Sequence, residues 1–169
     1  MASLRCTGRL LKRLRVKASP DDAEAETRLG DWYANVLNIG SNRLVMATSE
    51  RTLLTVIVPI RDPARLRERI REAVHNMLFR LQIPPDLAAD EVKGMDRMPF
   101  QKTANRSVLG SMNDFTFQAK HYFMEEPGLV DLGDVQLFLV GMPCGAIQYR
   151  YPADEVYRAF GITSHPGPA

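Results

Sequence analysis

Apolar positions along the chain follow two different periods. From Leu66 to Leu81 they recur at Leu66, Ile70, Val74, Met77, Leu78 and Leu81, a three- and four-residue spacing that gathers them on one face of an α-helix. Asp62 and Pro63 supply its start signal, and Pro84 with Pro85 ends it and opens a shorter helix to Lys93, broken by Gly94. Arg65, Glu68, Arg69 and Glu72 fall on the opposite face and read as a solvated surface. A second helical period through Val108, Met112, Phe115, Ala119 and Phe123 predicts a helix from Asn105 to Glu125, closed by Pro127 and Gly128.

Strand-like runs precede both helices. Asp31–Ile39 is rich in aromatic and β-branched residues, Gly40, Ser41 and Asn42 supply a turn, and Arg43–Thr48 returns, which predicts a hairpin. Thr52–Val58 is almost wholly apolar and reads as a strand buried on both faces. Leu4–Cys6 is a brief strand, and Thr7 is the N-cap of a helix carrying Leu10, Leu11 and Leu14. Ala18–Glu26 reads as an acidic surface loop, Arg97–Gln101 as an edge strand containing Pro99, and Ala153–Phe160 as a last helix with Gly161 at its C-cap. Leu132–Leu139 fits either a helix or a strand, and Ile147–Tyr151 reads as extended. Strands cluster early and helices mostly follow. The predicted class is therefore α+β: a small antiparallel β-meander packed against several α-helices, in a single domain over residues 4–161 with a disordered tail over 162–169.

Composition narrows the function classes. With 169 residues, 45% of them hydrophobic and 25% charged, the chain suffices for one core. Its two cysteines, Cys6 and Cys144, have no neighbouring His or Cys, so neither a disulfide framework nor a zinc site is indicated, and a reducing cytoplasm is the expected compartment. Apolar runs such as Leu53–Ile60 fall short of the roughly 20 residues a membrane helix needs, so no membrane partner is expected. No P-loop, G-x-G-x-x-G, H-E-x-x-H or G-x-S-x-G pattern occurs, and no cofactor is expected.

Charge is distributed unevenly. The first 20 residues hold six of the 22 basic residues and no acid, leaving 16 basic against 20 acidic residues elsewhere. Such a start reads as a short helix with one solvated face, as a polyanion-facing arm that includes Arg9 and Arg13, or as an imitation of a mitochondrial presequence.

The stretch Lys102–Phe115 carries the most chemistry. Lys102 and Arg106 fall at a predicted helix start, with Thr103 and Asn105 as capping types. That end leaves four N–H groups unpaired and carries about half a positive charge, so cations there cost roughly 0.3–1 kcal/mol unless an anion offsets them. One candidate anion is a carboxylate of the protein, such as Asp31 or Glu50, with Arg106 as a structural clamp. The other is a phosphate held by backbone N–H groups, the Ser107 hydroxyl and the Arg106 fork. Ser107, Asp114, Gln118 and His121 form a polar ridge on the same helix. Neighbouring members of the Ser, Asp and His set lie roughly 10 Å apart by helical rise, too far to act as a triad. Trp32 and Asn35 are weighed as part of a stacking face, and Tyr149, Arg150 and Tyr151 interleave aromatic and basic residues.

Cys6-Thr7 followed by Leu10-Leu11, then Trp32-x-Ala34-Asn35, then Asn105-Arg106-Ser107-Val108-Leu109-Gly110-Ser111-Met112-Asn113-Asp114 resemble the motifs of a bacterial family of small domains of unknown function. The resemblance covers about Leu4 to Phe160 and implies a cytoplasmic bacterial domain without implying an activity. The leading expectation is a non-enzymatic binding module for nucleic acid or another polyanion, with Lys102, Thr103, Asn105, Arg106, Ser107 and Asn113 as the site and Arg9, Arg13, Trp32 and Asn35 as secondary candidates. One alternative is a protein-interaction module in which Arg106 is a clamp. Another is a small nuclease or hydrolase whose site is assembled from separate segments.

Overall fold

In the computed structural model, which describes residues 1–20, 22–125 and 131–163, the chain opens with β1 (Leu4–Cys6) and α1 (Gly8–Leu14). Strands β2 (Trp32–Ile39), β3 (Asn42–Ser49) and β4 (Thr55–Pro59) follow, then α2 (Leu66–Arg80) and α3 (Pro85–Lys93). Next come β5 (Phe100–Lys102), α4 (Arg106–Glu125), α5 (Leu132–Val140) and α6 (Pro152–Ala159).

The five strands form one sheet in the order β4-β3-β2-β1-β5. β2, β3 and β4 are the expected antiparallel meander, turning at Gly40 with φ +57°, a conformation glycine adopts without a Cβ penalty. β1 adds to it in parallel, and β5 adds to β1 in parallel, so the sheet is mixed and β5 is an edge. The result is a single α+β domain.

Alternation along β2 divides the core in two. Trp32, Ala34 and Val36 pack with Val45 and Val56 beneath α1, α2 and α6. Tyr33 and Leu37 pack with Met46 and Ile57 beneath α4 and α5. Because helices cover both faces, β3 and β4 read as continuous apolar runs. At the outer edge, the Ile57 N–H donates to Gln136 Oε1 of α5 at 2.8 Å, so a helix side chain occupies a donor that an open edge would leave free.

Local chemistry sets the element ends. The Thr7 hydroxyl accepts the Leu10 N–H at 3.3 Å and caps α1 as expected. β4 starts three residues later than the apolar run suggests, because Ser49 Oγ accepts the Thr52 N–H and Leu53 takes φ +61° in a tight turn. Leu132–Leu139 resolves as helix, with Asp131 Oδ1 capping Gly133 N at 2.7 Å. The extended reading of Ile147–Tyr151 is not what forms. Gly145–Ile147 is a 3-10 turn, and Gln148 and Tyr149 adopt φ of +56° and +60°. A bridge between Cys144 and Arg150 closes this loop, so strand alternation does not govern Tyr149 and Tyr151. Ile162 packs on the core and donates its N–H to the Tyr157 carbonyl. The rest of the expected tail, 164–169, and Pro127 and Gly128, expected to close α4, lie outside the described residues.

Candidate functional site

β1 and β5 lie side by side and run in the same direction, and each leads directly into a helix. The helix after β1 packs on the Trp32 side of the sheet, whereas the helix after β5 packs on the Tyr33 side. Where connections from adjacent parallel strands diverge to opposite faces, they leave a crevice at the carboxyl ends of the strands, the usual ligand position in open α/β sheets. Thr7, Asn35, Lys102, Thr103, Asn105 and Arg106 fall at this end by register.

Two hydrogen-bonded joints build the crevice. Thr7 Oγ1 donates to Asn35 Oδ1 at 2.7 Å, and the same oxygen accepts the Val36 N–H at 2.8 Å. Across the end, the Tyr33 hydroxyl accepts the Asn105 N–H at 3.1 Å. Burial pushes the Tyr33 phenol above its ordinary value, aided by the charge of Glu50 and opposed by its bond to the Asn105 backbone.

The start of α4 is capped from within. Asn105 Oδ1 accepts the N–H groups of Ser107 at 2.9 Å and Val108 at 3.3 Å, and the Asn105 carbonyl accepts that of Leu109. Of the first-turn donors expected to cradle a phosphate, the Arg106 N–H is the one left by these bonds. An anion at this end would depend chiefly on side chains.

Arg106 is exposed and, among the described residues, forms no ion pair. Of the two carboxylates named for it, Glu50 forms no ion pair with it, and Asp31 is held by Arg5: Arg5 Nε donates to Asp31 Oδ2 at 2.8 Å, and the Ser3 N–H donates to Oδ1 at 2.9 Å. Arg5 also reaches Asp22 at 2.5 Å and the Lys102 carbonyl at 3.3 Å. Burial works against its charge, but the hydrogen bonds with Asp22 and Asp31 prevail and hold its pKa above the ordinary arginine value. Sequence reasoning passed over Arg5. Its signal was a cation in the middle of a strand between two buried residues, Leu4 and Cys6.

The other candidates separate. Arg9 and Arg13 are exposed on α1 with Lys12, and no ion pair engages them among the described residues. Trp32 is 0% exposed and its Nε1 has no hydrogen-bond partner among the described residues, so it is a core side chain and offers no accessible stacking surface. Asn113 is exposed two turns along α4 and does not reach the crevice. Ser107 faces a different space. With Gly110, Ser111, Asp114 and Gln118 it lines a cleft of about 490 Å³ whose far wall is the Met142–Ala146 loop. His121 lies beyond, paired with Glu125 at 2.9 Å, so the Ser, Asp and His of the polar ridge do not converge. Within the cleft, burial and the Asp114 charge push the Cys144 thiol up to about 11, which keeps it protonated and a weak nucleophile near neutrality.

Among the described residues no group of three or more His, Cys, Asp or Glu side chains is placed to hold a metal ion, and no helix is long and apolar enough to cross a membrane. No curated protein and no solved structure matches the chain. The model of one family does match, over residues 3–155, a span that holds the crevice, the cleft and every strand, and the chain belongs to that family, described as Domain of unknown function (DUF6933).

Proposed function

We propose that this chain is a binding module for a polyanion, with nucleic acid as the class of partner. The observation that carries the reading is the set of exposed cations without ion pairs among the described residues. Arg9 and Arg13 on α1 and Lys102, in register with Cys6, stand on the Trp32 side of the β1 and β5 ends, and Arg106 starts α4 on the Tyr33 side. Arg43, Arg61, Lys93, Arg97 and Lys120 are also exposed without ion pairs among the described residues; what sets Arg9, Arg13, Lys102 and Arg106 apart is their shared place around the carboxyl ends of β1 and β5. Cations left unneutralised on both flanks of one crevice suit successive phosphates of a backbone. Side chains supply the contacts, since Asn105 already occupies most of the helix-start donors.

The test is fluorescence anisotropy with labelled single- and double-stranded DNA and RNA across a salt series. Binding should weaken linearly in log salt with a slope of about −0.7 to −0.9 per phosphate contacted. Lys102→Ala with Arg106→Ala should lower affinity and flatten the slope without shifting the melting temperature. No binding to any of the four probes at low salt ends the polyanion reading.

One observation favours the protein-interaction alternative. Phe117 and Met124, seven residues apart on the outer face of α4, are exposed, and large apolar side chains sharing an exposed helix face are a feature of docking faces. In that case sedimentation should show self-association or a partner complex that Phe117→Ser weakens, with the Lys102 and Arg106 substitutions having no effect.

A further inference from the structure

Gly110 occupies the second turn of a 20-residue helix, where glycine is the least favourable residue after proline. Neither common structural reason for it applies. Its φ is not in the left-handed region, and a Cβ built on it would meet nothing within 4 Å, so no neighbouring element demands its close approach. The open space above it belongs to the cleft between α4 and the Met142–Ala146 loop, about 490 Å³ in volume and within the range of roughly 300–1,000 Å³ typical of small-molecule sites.

The lining has a definite chemical character. Ser107, Ser111, Asp114 and Gln118 project from α4, while Phe117, Met142 and Pro143 give an apolar rim. Asp114 is the one carboxylate among the described lining residues. Its helical neighbours at three and four residues either way are Gly110, Ser111, Phe117 and Gln118, all uncharged, and it forms no ion pair among the described residues. Arg106 begins the same helix but does not line the cleft. The far wall, Met142 to Ala146, is uncharged as well.

We propose that this cleft binds a small organic monocation, an ammonium or guanidinium group on a compact apolar body, with Asp114 as its counter-ion. The Ser107 and Ser111 hydroxyls and the Gln118 amide oxygen accept the remaining N–H donors of the cation. The exposed Phe117 ring offers its face to the charge, and Met142 and Pro143 cover the apolar body. One carboxylate in an otherwise neutral lining selects a single positive charge. This preference is opposite in sign to that of the β1 and β5 crevice, so the proposal stands independently of the polyanion reading.

The experiment is an NMR titration of the full chain with benzylammonium chloride, run beside benzyl alcohol as a neutral control of similar shape. Saturable shifts are expected at the Gly110, Ser111, Gly145 and Ala146 amides with the cation and not with the alcohol. Asp114→Asn should weaken binding by about tenfold or more, and Gly110→Leu, whose side chain enters open space, should block it while the protein stays folded. Absence of saturable shifts, equal response to benzyl alcohol, or unchanged affinity in Asp114→Asn overturns the proposal.

Discussion

Arg5 and Asp31 are joined by a 2.8 Å bond from Nε to Oδ2, with their side chains only 12% and 4% exposed. The pair ties the interior strand β1 to the residue that leads into β2. Removing one partner of a buried pair costs about 3–5 kcal/mol, and the reach of Arg5 to the exposed Asp22 places this case near the low end. Arg5→Ala should therefore lower stability by about 3 kcal/mol, read as a shift of the urea midpoint at constant slope. Arg5→Lys should recover little, since an ammonium cannot reproduce the guanidinium fork. Arg106→Ala should stay within about 0.5 kcal/mol of the parent.

Glu91 gives a pH-dependent stability of definite sign. It is 2% exposed, and its carboxylate oxygens accept the Arg28 and Leu29 N–H groups, each at 2.9 Å. Burial raises its pKa above 4.5, the two backbone bonds and Arg28 opposing the shift without cancelling it. A raised carboxyl pKa favours the protonated form in the folded state. Its contribution is complete below the unfolded value and is lost as pH rises through the folded one. Melting curves of the parent and Glu91→Gln across the acid range should diverge in that window, the parent losing ground as pH rises. Glu91→Ala, which strands the two donors, should cost about 2–3 kcal/mol.

The Tyr33 hydroxyl and the Asn105 cap act on one helix start. Tyr33→Phe removes the acceptor of the Asn105 N–H and should cost about 1 kcal/mol. Asn105→Ala removes the cap of Ser107 and Val108 and should cost about as much, roughly 1 kcal/mol. Because both changes loosen the same turn, chemical denaturation of the double variant should show less than the sum.

Cys144 reports on Asp114. Its thiol stands at about 11 through burial first and the Asp114 charge second. Asp114→Asn removes the second cause, so the pKa should fall and iodoacetamide should alkylate Cys144 faster at any fixed pH below it. Cys6, 1% exposed and raised by burial to about 12, should react more slowly in both proteins.

Features set by nearby residues were legible in the sequence. The α2 and α4 periodicities, the β2–β3 hairpin and the Thr7 cap depend on spacings within a few residues. The pairing of β1 with β5 does not, because Leu4 meets Phe100 across a separation no local pattern encodes, and a three-residue strand carries too little alternation to reveal its neighbours. The clamp on Asp31 was anticipated in kind but given to Arg106; which arginine reaches a carboxylate is decided by sheet order. Gln148 and Tyr149 adopt positive φ without being Gly or Asn, so their turn left no compositional mark. At the cleft, the polar ridge of α4 was readable, but the wall opposite it was not, since Met142–Ala146 is brought there by the tertiary fold.

The position of β1 also orders events during folding. β1, the first strand in the sequence, lies between β2 and β5, so one of its two edges can be satisfied early by β2 and the other waits for Phe100–Lys102. Until that later segment arrives, the growing chain carries an unpaired strand edge of the kind that invites pairing with another molecule. Closing it requires a long loop, which slows the final step. Refolding should therefore be limited by the docking of β5, and a chain cut after α3 should collapse around the meander yet associate through the open side of β1.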